Sequence, residues 1–181
     1  MASSLVVETG AGVTSADTYV STANISVWLA LYYAAATFTE WTDAEDATKD
    51  AWARYARLYL DEKYKHRWRG TKYDEDYALP WPRTAFNDSN GHEIDSTDDG
   101  DGMPDGLTAA QAYLAWRASK GDTFFPVNEN AAAKSKSWSN QSESGSEVFV
   151  GGGASKDLKT YPMVDRLLSE YLQSGFYVGR C

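Results

Sequence analysis

At 181 residues the chain is long enough for one domain with a hydrophobic core and too short to argue for two. Its net charge of −9 argues against general affinity for nucleic acid, which rests on phosphate neutralisation by Lys and Arg. The lone cysteine, Cys181, leaves no intramolecular disulfide, no apolar run reaches the roughly 18 residues of a membrane span, and MASSLVVETG lacks a basic secretory leader.

In chain order, residues 1–20 read as extended, with Gly10-Ala11-Gly12 as a flexible break. Ser21 is suited to cap a first helix in which Ile25, Trp28, Leu29, Tyr32 and Tyr33 recur at helical spacing. A loop at 37–41 precedes Thr42-Asp43-Ala44-Glu45, which has the form of a capping box. The helix it opens carries Trp52, Tyr55, Ala56, Tyr59 and Leu60 on one face, with Arg54, Arg57, Asp61 and Lys65 elsewhere, and Gly70 is the expected stop. Residues 71–103 read mostly as loop, because Pro80 and Pro82 remove donors and Asn87 to Gly91 is a turn cluster.

A third helix is expected over Leu107–Ser119, with Ala110, Leu114 and Ala118 on one stripe. Ser, Asn, Gly, Ala and Lys then dominate 128–155, a composition weakly ordered by itself. Within it, Glu147 to Val150 reads as a short strand that can pair with Lys136 to Ser139. Pro162 opens a last helix within 160–173, lined by Val164, Leu167, Leu168, Tyr171 and Leu172, and Gly175 ends it. The expected fold is mainly α: a small bundle of about four helices with a long central loop. It forms a single domain, 1–181, with an extended segment at 1–20, a helical core at 21–127, an extended or β-hairpin arm at 128–155 and a tail at 174–181.

Charge is unevenly spread. Seven bases lie between Arg54 and Lys72 against Asp61 and Glu62, whereas ten acids lie between Asp74 and Asp105 against Arg83 alone. Two solvated faces of opposite sign explain this most simply. A sharper reading has one subunit's basic face meeting a neighbour's acidic face.

Enzyme chemistry finds little support. His66 sits among bases, His92 lies in a turn beside Glu93, and Gly151-Gly152-Gly153 lacks a phosphate-loop lysine. Thr97 to Asp105 looks like a calcium loop with Asp99 and Asp101 as ligands and Gly102 at the turn. Thr97 and Thr108, however, occupy its first and twelfth positions, so a solvated acidic loop is the favoured reading of 97–108. Neither a metal nor another cofactor is expected. Tyr64-Lys65-His66-Arg67-Trp68-Arg69-Gly70-Thr71-Lys72-Tyr73 interleaves rings and cations as single-strand binders do. Tyr64 and Trp68 lie four apart, however, and the favoured reading is that they pack inward under arginine stems.

Ser15 to Ser21, Tyr59-Leu60-Asp61, Trp68-Arg69-Gly70 and Leu79-Pro80-Trp81-Pro82-Arg83 occur in order. Asp88, Gly91, Ile94, Met103-Pro104, Ala109 to Ala115 and Tyr161-Pro162-x-Val164-Asp165-x-Leu167-Leu168 follow. This series resembles the head-to-tail connector (neck adaptor) proteins of tailed bacteriophages, in a family labelled DnaT-like single-stranded-DNA-binding protein. The acidic stretch around Asp95 to Gly102 and the long Ser-rich segment depart from the family's pattern. The resemblance implies a virion protein of the neck, synthesised in the host cytoplasm, that forms a dodecameric ring on the portal protein. Such a ring extends the channel for genomic DNA, without sequence-specific binding, and docks a head-closure, tail terminator or nozzle protein. The label implies instead a replication-type single-strand binder. A strongly acidic chain suits a conduit better, since a binder should carry a basic domain. Arg67, Arg69, Arg83, Phe176, Tyr177 and Arg180 are the expected partner contacts. No membrane partner is expected.

Overall fold

The computed structural model describes residues 5–87, 91, 93–94, 103–125, 136–140, 143–147 and 158–173. Helices dominate, in the order α1 (Thr22–Tyr32), α2 (Thr39–Asp43), α3 (Asp46–Tyr64), α4 (Asp105–Ser119) and α5 (Pro162–Leu167). Two antiparallel strand pairs accompany them: β1 (Phe86–Asn87) with β2 (Glu93–Ile94), and β3 (Lys136–Asn140) with β4 (Glu143–Glu147). No helix among the described residues is long and apolar enough to cross a membrane. Residues 1–122 and 161–181 form one compact unit and residues 123–160 a second.

The helix α4 is the axis of the first unit. Leu107, Ala110, Gln111, Ala112, Leu114, Ala115 and Ala118 are all buried, so it is enclosed on most sides. Alanines dominate that set, and short side chains let α1, α3 and α5 approach closely. At Gly106 the approach is closest: a Cβ there would lie 2.4 Å from the carbonyl oxygen of Leu167 and 2.4 Å from the Tyr171 ring.

Gln111 ties this axis to its neighbours. Its Oε1 accepts the backbone N–H of Tyr19 at 2.9 Å, and its Nε2 donates to Thr18 Oγ1 at 2.6 Å and to the Ala53 carbonyl at 2.8 Å. The side chain is fully buried, so three polar groups of the N-terminal segment and α3 are satisfied away from water.

The N-terminal segment differs from the expected flexible break. Glu8 is buried, and its carboxylate accepts the N–H groups of Gly10, Gly12 and Val13 at 3.0, 2.9 and 2.8 Å. The glycines therefore wrap an anion in a compact turn, helped by a bridge between Val7 and Thr18.

Ser21 caps α1 as expected, accepting from the Asn24 N–H at 3.1 Å. Residues 37–41 are not a plain loop: α2 begins at Thr39, and buried Trp41 donates its indole N–H to Ser26 Oγ at 2.9 Å. Thr42 lies inside α2 and donates to the Phe38 carbonyl, so the capping box does not form. Glu45 is the N-cap of α3, without a side-chain bond. The long helix also stops at Tyr64, before Gly70, and α5 ends at Leu167.

In the second unit, β3 pairs Lys136 with Glu147 and Asn140 with Glu143. The partner strand is thus 143–147 rather than 147–150, which closes a two-residue connection instead of a longer one. Residues 148–150 lie outside the described residues.

Replacing Gln111 by Ala leaves the buried Tyr19 N–H without its acceptor and removes one bond each from Thr18 Oγ1 and the Ala53 carbonyl, which keep others. The Q111A chain should lose about 3 kcal/mol of stability in urea unfolding, and an unchanged midpoint would contradict the bridging role.

Candidate functional site

The run that looked most like a ligand site, from Tyr64 to Arg83, is built around backbone. Trp68 and Leu172 form an antiparallel bridge, the Arg69 N–H donates to the Tyr171 carbonyl at 2.9 Å, and the Gln173 N–H donates to the Arg67 carbonyl at 2.6 Å. Gly70 has φ of +64°, and a Cβ there would come within 2.5 Å of the Thr84 carbonyl oxygen. Only glycine turns the chain at this point without strain. Lys72 then bridges to Arg83.

Arg83 closes the structure. Its Nε donates to the Arg69 carbonyl at 2.7 Å, Nη2 to the Gly70 carbonyl at 2.6 Å and Nη1 to the Pro80 carbonyl at 3.2 Å. Burial lowers its pKa below the ordinary arginine value, and Coulombic attraction to Tyr19 opposes that shift. The planar fork donates from three separate nitrogens to three carbonyls, a spread that the single ammonium of a lysine does not match. Beneath it, Trp81 is fully buried and meets Trp68 and Tyr171 edge-on at 5.7 and 6.1 Å. The indole N–H groups of Trp68 and Trp81 have no acceptor among the described residues, and ring packing holds this cluster.

The neighbouring cations also have partners within the chain. Arg54 pairs with Asp17 at 2.7 Å, Arg57 with Asp61 at 3.0 Å and Lys65 with Glu62 at 3.2 Å. Lys63 donates to Tyr59 Oη at 2.8 Å, and Lys72 to the Glu75 carbonyl at 2.9 Å. Arg69 lies over the Phe86 ring at 5.2 Å and donates to the Glu170 carbonyl at 3.2 Å. Arg67 is exposed, with its guanidinium 5.8 Å from the Tyr64 ring centre. Among the expected partner contacts, Arg83 thus holds carbonyls of its own chain, Arg69 is shared between chain and surface, and Arg67 faces solvent. Phe176, Tyr177 and Arg180 lie outside the described residues, as do His92 and residues 97–102 of the calcium-like loop. Thr108 stands in the first turn of α4 and donates to the Asp105 carbonyl. Among the described residues no cluster of His, Cys, Asp or Glu is placed to hold a metal.

Among the described residues three acids, Glu8, Asp50 and Asp61, are buried where their sequence surroundings do not show it, and the titration of Asp61 is clearly shifted. Asp61, expected off the apolar face of α3, is buried; Tyr19 Oη donates to its Oδ1 at 2.5 Å and Arg57 Nη1 to its Oδ2. Desolvation raises its pKa from 3.8 to about 6, despite hydrogen bonds from Tyr19 and Arg57 that favour the anion. Its spacing does not show this, because residues one and two apart on a helix face different ways; the burial comes with its partners Tyr19 and Arg57.

A second surface is apolar. Val27, Leu31 and Tyr32 of α1 are exposed. Beside them lies a groove of ≈ 390 Å³ lined by Trp28, Tyr33, Ala109, Met163 and Leu167. The expected stripe of α1 is therefore only partly buried, through Ile25 and Leu29.

A family model described as "Putative DnaT-like ssDNA binding protein" matches residues 3–180. The chain belongs to this family. No curated protein and no solved structure matches it. Within this member of the family, Trp68-Arg69-Gly70 and Leu79-Pro80-Trp81-Pro82-Arg83 form a fold-stabilising knot. The rings of Tyr64, Trp68 and Trp81 are buried, whereas Tyr73 is exposed and stacks on Tyr77.

Substituting Arg83 by Ala should cost about 3 kcal/mol in chemical unfolding, and Arg83→Lys should recover only part of it. Full recovery by lysine would show that charge alone matters there. For Asp61, the folded chain holds the proton more tightly than the unfolded chain between about pH 4 and pH 6. Its stabilising contribution is present at the acid end of that window and lost as pH rises through about 6. Relative to Asp61→Asn, the wild type should lose on the order of 2 kcal/mol between those limits. A difference that does not vary with pH would contradict the burial cost.

Proposed function

We propose that this chain is a non-enzymatic assembly protein of a phage particle, acting as a head-to-tail adaptor. In this reading it forms a ring on the portal protein, lengthens the DNA channel and docks the next neck or tail component. One observation carries the proposal. Most of the basic and aromatic residues of the 64–83 run are engaged inside the fold, while the three most exposed large hydrophobic residues among those described, Leu31, Tyr32 and Val27, all lie on α1 beside an apolar groove. Such a surface fits protein contact. A net charge of −9 also suits a wall past which DNA slides without sticking.

Single-strand binding in replication is the second reading, and the family's description favours it. That description is the one comparison finding that names a ligand. Exposed Arg67 and His66 are residues on which such binding could draw.

Fluorescence anisotropy with labelled single-stranded DNA at physiological salt separates the two. The adaptor reading predicts binding no tighter than the non-specific range, about 10⁻⁴ to 10⁻⁶ M. Nanomolar, salt-sensitive binding that Arg67→Ala weakens would establish the second reading instead.

A further inference from the structure

We propose that the uncharged face of α1 is a contact between two copies of this chain. Residues 18–39 contain no Asp, Glu, Lys, Arg or His, in a chain that is 24% charged. This is not a buried stretch. Val27, Leu31 and Tyr32 are 59%, 73% and 67% exposed, and nearby Met163 on α5 is 39% exposed. A contiguous apolar surface of this kind marks an interface rather than scattered exposure.

Electrostatics selects the occupant. Two copies carrying −9 each repel one another, and that repulsion is least where the contacting surface bears no charge. The groove offers no cation to an acidic partner, and Asp105 is the sole charge along its lining. Nucleic acid is poorly served by such a face.

Shape points the same way. Val27 and Leu31 form an exposed ridge one turn apart on α1, and the groove lined by Trp28, Tyr33, Ala109, Met163 and Leu167 opens beside it. A ridge and a groove on the same patch are self-complementary: each copy's ridge can enter the other's groove, as a two-fold contact requires. The inference goes beyond the adaptor reading and does not depend on it, because a single-strand binder could pair through the same face.

Sedimentation velocity of the full chain across the micromolar range tests this. The sedimentation coefficient should rise with concentration, and added salt should strengthen association by screening repulsion between like-charged copies. Leu31→Glu should weaken association about tenfold or more with an unchanged circular dichroism spectrum, because Leu31 is largely solvent-exposed in the single chain. Val27→Asp should act in the same direction. A wild type that stays monomeric throughout would overturn the proposal, as would L31E associating like the wild type. Association that weakens with salt would point to paired charges and overturn it too. A monomeric wild type whose L31E variant no longer enters particles would assign the face to another protein, also overturning the proposal. The adaptor reading survives or fails separately, on the DNA titration.

Discussion

The fork of Arg83 is the constraint around which this molecule's long central segment is organised. Three backbone carbonyls, those of Arg69, Gly70 and Pro80, converge on one guanidinium. Left unpaired in a half-buried position, such oxygens would oppose folding. With them satisfied, the chain can turn at Gly70, sink Trp81 into a cluster with Trp68 and Tyr171, and receive the end of the chain along residues 67–69. Sequence, turn geometry and ring packing are thus mutually dependent here.

That organisation changes what the local composition means for function. A string of rings and cations suggests a strand of nucleic acid laid across a surface. Here Tyr64, Trp68 and Trp81 are interior, Tyr73 is exposed, and the cations mostly answer acids or carbonyls of their own chain. Arg67 and His66 still face outward, and the face of α1 is exposed and without charge. The family's description names a nucleic-acid ligand, for which this run leaves few free groups.

Much of the architecture was legible where one physical cause dominated. Ser21 has the hydroxyl that caps α1, Pro162 has the fixed φ that opens α5, and Ala110, Leu114 and Ala118 repeat at the spacing of a buried helix. Legibility failed where tertiary partners decide. Gln111, Glu8 and Asp61 look solvent-loving in one dimension, and their burial follows only from donors and acceptors distant in sequence or set by a local fold. The capping box at Thr42 failed for a related reason: burial of Trp41 draws that stretch into α2 and shifts the start of α3. For the site, the four-residue spacing of Tyr64 and Trp68 pointed inward, and both are buried, while the exposure of Tyr73 follows from packing that order does not show.

The most direct measurement is an image of the assembled particle's neck at a resolution that identifies this chain and counts its copies. The account predicts a ring of this protein between portal and tail, with the knot of Trp68, Trp81 and Arg83 closed inside each subunit. Particles that lack the chain, together with its recovery on single-stranded DNA in infected cells, would contradict it.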